Sequence, residues 1–256
     1  MSHSEQIVDQ FTRQAAQFAA SPTARSEDIL ERILRAARPG PHDAALDVAC
    51  GPGLLACALA GLVRHATGID LTPAMLDQAR ATQQAQGLTN VTWDRGDVTA
   101  MPYTDGAFNI VTCRFAFHHF PDPLAVLRET RRVCAPGGRV VVADSAPSAA
   151  KAAAFNAMET MRDPSHTRAL PAEEMMQLFA EAGLPNPVVD RTRLALDLDE
   201  FLGRSYPRPG GKQQIRDLFE SALADDAMDV EPHRDGAQIR FSVPVAIVVA
   251  QVPDGL

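Results

Sequence analysis

The chain has 256 residues, 46% of them hydrophobic, with a formal net charge of -8 and an isoelectric point near 5.3. That length can bury a full core as one large domain, and the acidity argues against a nucleic-acid partner, whose phosphates need a basic face. Lys151 and Lys212 are the only lysines. No apolar run reaches the ~20 residues of a membrane span, and the first residues lack the basic and apolar regions of a signal peptide. Cys50, Cys57, Cys113 and Cys134 show no paired spacing, so reduced, mostly buried thiols and a cytoplasmic protein are expected.

In chain order, Ile7, Phe11, Ala15 and Phe18 fall on one face of a helix that ends near Ser21-Pro22. Ile29, Leu30, Ile33 and Leu34 mark a second helix, stopped by Arg38-Pro39-Gly40-Pro41. These helices either pack against a sheet edge or form a lid, with Phe11 and Phe18 as its inner face. The apolar run Ala44 to Cys50 reads as a short buried strand ending in the turn Gly51-Pro52-Gly53, which leads into the helical pattern Leu54, Leu55, Cys57, Leu59. Glycines there let backbone approach a ligand, and the helix N-terminus offers free N–H groups. A second strand, Ala66 to Ile69, closes on Asp70, and Thr72-Pro73 starts a helix that ends near Gly87. Val91 to Asp94 is a third strand, leading to Gly96-Asp97. A fourth, Phe108 to Cys113, is followed by a helix from Pro123 through Cys134 that Pro136-Gly137-Gly138 ends. The valine-rich stretch Arg139 to Ala143 is a fifth strand, ending at Asp144.

Strands alternating with helices predict a doubly wound parallel sheet, whose ligands sit beyond the carboxyl ends of the strands. Asp47, Asp70, Asp97, Arg114 and Asp144 all fall at such ends. A strand, a Gly-rich turn, a helix and a strand ending in a carboxylate describe a nucleoside site. Gly51-x-Gly53-x-x-Ala56 with an acid further on also fits the dinucleotide fingerprint, so an NAD(P)-dependent oxidoreductase is one alternative. Against it, Asp47 would repel a pyrophosphate but could accept bonds from an ammonium group. Asp97 is placed to accept from an adenine amine. The chain also closes with β-rich segments rather than a second parallel half.

Beyond Ser145, Ala- and Met-rich helical segments run to about Arg168, a helix spans Pro171 to Ala182, and Pro187 to Leu196 alternates like a strand. Leu198 to Ala227 reads as helical with a Pro-Gly break, and Ile239 to Val252 as a final strand. Pro244 is awkward inside that last run, so the ladder is expected to begin at Val245 or to carry a bulge.

On these residues the chain resembles the class I S-adenosylmethionine-dependent methyltransferases, and among them the ubiquinone/menaquinone-biosynthesis-type (methyltransferase type 11) small-molecule enzymes. Asp47-Val48-Ala49-Cys50-Gly51-Pro52-Gly53 looks like their first motif, Asp70 like their ribose acid, and Gly96-Asp97 like their adenine-side acid. Pro136-Gly137-Gly138 looks like their turn before strand five. Ala49 replaces a glycine of the usual motif, which its small size tolerates, and Asn109 stands where the family usually has Asp. The likeness implies a Rossmann-like α/β fold with a mostly parallel seven-stranded sheet, Ile239 to Val252 being the antiparallel last strand. It implies one domain: lid helices over 1–40, a cofactor-binding core over 41–145, substrate-covering segments over 146–170 and 197–237, and the last strand over 238–252. S-adenosyl-L-methionine is the implied cofactor and S-adenosyl-L-homocysteine the product. Gly51 and Gly53 are assigned to backbone approach, Asp70 to the ribose, and Asp97 with Val98 to adenine, with Leu71 and Met75 as further cofactor contacts. Asp47, Arg114 and Phe115 are assigned to the methionine end. No metal is called for.

Methyl transfer from a sulfonium needs mainly orientation, and a base only when the acceptor loses a proton. Phe115-Ala116-Phe117-His118-His119-Phe120 follows strand four, where the methyl should emerge, so His118 or His119 is expected to be a general base or an acceptor-orienting group. Phe11, Phe18, His119, Met158, Met161 and His166 are the expected acceptor contacts, the methionines as an adaptable apolar wall. Such a wall suits a small apolar or aromatic acceptor, quinone-like or polyketide-like. The chain has Arg114-Phe115-Ala116 where a nucleic-acid methylase would carry Asn/Asp-Pro-Pro-aromatic. A non-methylating S-adenosylmethionine binder, or a cyclase on the same fold, is the other alternative, and a homodimer is the one assembly allowed for.

Overall fold

The computed structural model describes residues 2–20 and 26–254. Two helices precede the sheet and do different work. α1 (His3–Ala20) lies against the later helix at 73–85 and over the tops of the strands. α2 (Glu27–Ala37) buries Ile29, Ile33 and Ala37 completely in the core, so of the two helices expected as a lid over 1–40 only α1 borders the cavity at the strand ends. Burying Ile29 and Ile33 is worth about 1.5–3 kcal/mol each, which makes α2 a structural helix. Arg38, in the left-handed region at φ 49°, ends it just before Pro39. The Phe18 side chain lies outside the described residues.

The elements then alternate as β1 (Ala44–Val48), α3 (Leu54–Ala60), β2 (His65–Asp70), α4 (Pro73–Ala85), β3 (Val91–Arg95) and β4 (Phe108–Arg114). A single 3₁₀ turn (Phe117–His119) leads to α5 (Pro123–Val133), whose N-cap Asp122 accepts a bond from Ala125 N, and to β5 (Cys134–Ser145). α6 (Ala152–Arg162), α7 (Ala172–Glu181), β6 (Val188–Asp197), α8 (Leu198–Gly203), α9 (Gly211–Ala222), β7 (His233–Asp235) and β8 (Gln238–Gln251) complete the chain. The sheet runs β3-β2-β1-β4-β5-β8-β6, with β1 to β5 parallel and β8 antiparallel to both its neighbours. These are the seven expected strands. The short β7 pairs with the start of β8 as an eighth, so the segment expected to be helical to residue 237 ends in a hairpin.

β8 shows why this sheet needs helices on both faces. Phe241, Val243, Val245 and Ile247 join one core with α2, α3, α6, α8 and α9, while Ala246, Val248 and Ala250 join the other with α5 and α7. Side chains of a strand alternate between faces, and both of these faces are buried. Pro244 sits within β8 without a bulge. It pairs in register with Arg193 of β6, whereas the ladder to β5 starts one residue later, at Val245 and Ser145. Its carbonyl accepts from Ala146 N at 2.8 Å on the β5 side, so the missing N–H also points to where that ladder has not yet begun. The proline removes no ladder hydrogen bond to β6.

Candidate active site

The carboxyl ends of β1, β2 and β4 and the turn after β3 surround a cavity of about 300 Å³. Its wall holds Asp47, Gly51, Asp70, Leu71, Met75, Asp97, Val98, Arg114 and Phe115, with His3, Ile7 and Phe11 of α1 closing it from above. Gly51 adopts φ 51°, and a Cβ there would meet nothing closer than the Met75 sulfur at 4.0 Å, so the turn presents bare backbone to open space. Asp70 holds that turn: Oδ2 accepts from Gly51 N at 2.9 Å and Oδ1 from Thr72 N at 2.8 Å. Burial raises the Asp70 carboxyl above its ordinary range, and these N–H donors moderate the rise. Asp97 accepts from Thr99 N at 2.9 Å and from Thr99 Oγ1 at 2.8 Å, both through Oδ1.

Asp47 is 2% exposed and accepts from Thr112 Oγ1 at 3.0 Å. Burial drives its carboxyl up to about 7, with the Thr112 hydroxyl and the nearby Arg114 opposing the rise. Arg114 is drawn down to about 10, again by burial, with Asp47 opposing. Its guanidinium lies 5.3 Å from the Phe115 ring centre.

Gly53 does something other than what its motif position suggests. It is absent from the cavity wall, and a Cβ on it would come within 2.4 Å of the Trp93 ring and 2.9 Å of Ala79 Cβ. It lets the start of α3 pack against β3 and α4. Ala49, by contrast, does line the cavity, at φ 53°, a left-handed conformation that an alanine adopts only under strain.

A second cavity, about 100 Å³, adjoins the first and shares Phe11, Phe115 and His119 with it. Gln14, His118, Ser145, Glu159, Arg162, Asp163, Leu194, Leu196, Phe201, Arg204 and Val243 complete its lining. The two histidines at the junction are set in opposite states. His118 Nδ1 lies 2.5 Å from Asp144 Oδ1, and His118 N donates to Oδ2 at 3.1 Å. Burial alone would lower the His118 pKa, but the Asp144 charge and hydrogen bond outweigh it and the pKa is raised. His119 Nδ1 faces the Ser165 carbonyl at 3.0 Å, an acceptor, so Nδ1 carries the proton and Nε2 keeps its lone pair. Burial and the neighbouring His118 charge push His119 down to about 3. Phe11 packs edge-on against the His119 ring at 5.0 Å, and His3 Nε2 donates to the His119 carbonyl at 2.7 Å, which ties α1 to this loop.

Three expected acceptor contacts lie elsewhere. Met158 is completely buried in the core, and Met161 packs against that core without reaching either cavity. His166 is also outside both linings: its Nε2 bonds Asn156 Oδ1 at 2.7 Å, and its ring lies 5.4 Å from that of His118. The segment 146–170 still borders the second cavity, but through Glu159, Arg162 and Asp163, one step round the helix from the methionines. Sequence reasoning missed these three, as well as Phe201 and Arg204. The available signal was a charged pair, Glu159 and Arg162, at i and i+3 inside an otherwise Ala- and Met-rich helix.

Residues 46–142 match the family described as a methyltransferase domain. The uncharacterized methyltransferase YcgJ of Bacillus subtilis is 28% identical over 242 residues, 93% of this chain and 96% of that one. Its crystal structure superposes with a TM-score of 0.81 over 88% of this chain and 98% of its own. The uncharacterized protein YafE of Escherichia coli is 34% identical over 158 residues, 61% of this chain and 76% of that one. A demethylmenaquinone methyltransferase of Lactobacillus johnsonii is 30% identical over 176 residues, 59% of this chain and 72% of that one. With the fold, the acid-lined cavity and these relatives in agreement, the chain belongs to the S-adenosylmethionine-dependent methyltransferases.

Proposed function

We propose that the larger cavity holds S-adenosylmethionine and that the smaller one holds a small aromatic acceptor, the two meeting at Phe11, Phe115 and His119. The observation that carries this reading is the adjacency of the cavities: an acid-lined chamber of nucleoside size shares three aromatic rings of its wall with a second chamber about one ring in volume. The residues fit the group. Asp70 and Asp97 offer carboxylate oxygens to ribose hydroxyls and to the adenine amine, Asp47 offers one to an ammonium group, and Gly51 leaves room for close approach. Leu71, Met75 and Val98 give the base and sugar apolar contact, while Arg114 and Phe115 border the methionine end. When bound, S-adenosylmethionine supplies a methyl group already activated on sulfur, and S-adenosylhomocysteine remains.

The protein's work is then orientation and charge. Phe11 and Phe115 exclude water and flank the point where the cavities meet, and their ring faces favour a cation by about 0.5–2 kcal/mol. His119, neutral with Nε2 unprotonated, accepts a hydrogen bond from the acceptor and so aims its lone pair. A protonated His119 would sit beside the charged His118, so it orients rather than stores a proton. His118, held charged by Asp144, stabilises negative charge that develops on the acceptor as its proton leaves to solvent. The aromatic character of the acceptor is supported by Phe11, Phe115 and Phe201 in its walls. The likeness to an enzyme named for demethylmenaquinone points the same way.

Calorimetric titration of the protein with S-adenosylhomocysteine and with NADH tests the assignment of the larger cavity. Binding of the first that is lost in Asp70→Ala is expected; binding of NADH in its place would overturn it.

A further inference from the structure

The loop that joins α6 to α7 lies against the two histidines at the junction of the cavities. Thr167 N and Oγ1 donate to the His118 carbonyl at 2.9 and 2.7 Å, and Arg168 N donates to it at 3.1 Å. The two loops are thus clamped together beside the His119 ring. His119, Asp163 and Ser165 are all buried. Buried polar groups keep the hydrogen-bond pattern that their neighbours impose.

Two oxygens of Ser165 converge on one nitrogen of His119. The carbonyl lies 3.0 Å from Nδ1 and the hydroxyl Oγ 3.3 Å from it. The carbonyl can only accept, so it requires a proton on Nδ1. The hydroxyl is ambivalent: turned one way it accepts from Nδ1–H, and turned the other it donates to Nδ1 and favours the opposite tautomer. Asp163 decides between them. Its Oδ1 accepts from Ser165 Oγ at 2.6 Å and from Ser165 N at 2.9 Å. Burial pushes the Asp163 carboxyl up, but opposing influences led by the Arg162 charge outweigh it and hold it at about 2. An ionised carboxylate has no proton to give, so the Ser165 hydroxyl donates to Asp163 and turns its lone pairs toward His119. The Ser165 carbonyl is held separately, because His166 N, in the same peptide unit, donates to the Asp163 carbonyl at 3.0 Å.

We propose that Asp163 is a positioning residue: acting through the Ser165 hydroxyl, it fixes the His119 tautomer so that Nε2 meets the acceptor as a lone pair. With its proton on Nδ1, His119 selects an acceptor that brings a hydroxyl or an N–H to the junction. With the proton on Nε2 it would select a carbonyl or an oxyanion instead. The contrast with the neighbouring histidine is in the contact. Asp144 bonds His118 directly and keeps it charged, whereas Asp163 reaches His119 through a neutral hydroxyl and sets only the place of its proton. The bearing on the acceptor rests on His119 being the orienting group; the control of its tautomer does not.

The test reads the two ring nitrogens of His119 by long-range proton–nitrogen NMR of the full chain carrying isotope-labelled histidine, near neutral pH. The signals are assigned by their loss in His119→Gln. The unsubstituted protein is expected to show a proton on Nδ1 and a bare Nε2. Asp163→Ala frees the serine hydroxyl to turn toward Nδ1, so the population with its proton on Nε2 should rise at least about tenfold. Asp163→Asn, whose side-chain oxygen accepts the same two bonds, should restore the native pattern. So should Ser165→Ala added to Asp163→Ala, because it removes the competing donor, which a mere loosening of the loop would not allow. A proton on Nε2 in the unsubstituted protein, an unchanged tautomer in Asp163→Ala, or failure of either restoring variant would overturn the proposal. If Asp163→Ala does not fold, Ser165→Ala alone serves: the carbonyl remains, so Nδ1 keeps its proton, but that proton should move upfield and exchange faster with water. An unmoved resonance there would overturn the proposal equally. The measurement needs neither cofactor nor acceptor. A wrong cofactor assignment shows instead as absence of S-adenosylhomocysteine binding to the same samples, and leaves the tautomer result to be read by itself.

Discussion

His118 and Asp144 form a buried ion pair, Nδ1 to Oδ1 at 2.5 Å, with side-chain exposures of 10% and 2%. Burial disfavours both charges, yet each is sustained by the other: the His118 pKa is raised and the Asp144 pKa lowered. The stability from His118 is present below the unfolded imidazole value of about 6.5 and is lost as pH rises through the raised folded value. That from Asp144 is present above about 3.9 and is lost as pH falls through its lowered folded value. The pair therefore stabilises most between about pH 4 and pH 6.5. Asp144→Asn should cost about 3–5 kcal/mol near pH 6, because it strands a buried imidazolium, and clearly less near pH 9, in urea unfolding. A cost that does not change with pH would mean that the pair is not charged.

His119 makes the opposite prediction. With Nδ1–H fixed on the Ser165 carbonyl and a pKa pushed to about 3 by burial and by His118, it stays neutral across the working range. His119→Ala should lower kcat/KM by about 10- to 100-fold, the cost of a lost orienting hydrogen bond. The shape of the pH–rate profile should not change. Loss of an ionisation near pH 6–7 in the variant would identify His119 as a proton acceptor and refute the orienting role.

Asp47 couples pH to ligand affinity. Its folded pKa, about 7 through burial, lies above the unfolded value of about 3.9, so ionising it costs stability from the lower value upward. A ligand ammonium group favours the ionised form. S-adenosylhomocysteine affinity should fall about tenfold per pH unit below pH 7 and level off above it. In Asp47→Asn it should be weak and independent of pH. Calorimetric titration from pH 5.5 to 8.5 reads both.

The acids at the strand ends were legible because each belongs to a strand and turn whose chemistry is local: Asp70 closes an apolar run, and Asp97 follows Gly96. The last strand was legible as a β-rich run for the same reason, whereas its antiparallel direction came from the family resemblance. What the sequence hid is set by partners distant in the chain. Gly53 sits in a ligand-binding motif, but its neighbour is Trp93, which reaches it only once β3 is in the sheet. Met158 and Glu159 are adjacent on α6, and the packing of α9, not their order, decides that the first is core and the second lines a cavity. His118 and His119 are adjacent too, and their charge states diverge because one meets Asp144 and the other Ser165.

The two glycines of the first turn should therefore respond differently to alanine. At Gly53 the new Cβ would stand 2.4 Å from the Trp93 ring and the backbone would be strained at φ 75°, so Gly53→Ala should cost about 2–4 kcal/mol. Trp93→Leu in the same chain should recover part of this. At Gly51 the Cβ has room, and Gly51→Ala should cost only the left-handed strain, about 1–2 kcal/mol. Its larger effect should be on S-adenosylhomocysteine affinity, since the methyl group would project toward the cavity wall. Thermal unfolding and titration of both variants separate the two effects, and equal stability losses would sink the distinction.

Ala49 carries strain that its size does not relieve. It holds φ 53° between β1 and the glycine turn, where an L-residue's Cβ crowds the carbonyl that follows. Glycine removes that cost of about 1–2 kcal/mol but gives the unfolded chain more freedom, worth about 0.4–1 kcal/mol in the other direction. The strain is the larger of the two. Ala49→Gly should therefore stabilise the protein by up to about 1 kcal/mol, or about 2–4 °C in Tm for a chain of this size. The same substitution opens the cavity wall, so S-adenosylhomocysteine affinity should hold or improve. A lower Tm for Ala49→Gly would show that the alanine methyl makes packing contacts worth more than the strain it imposes.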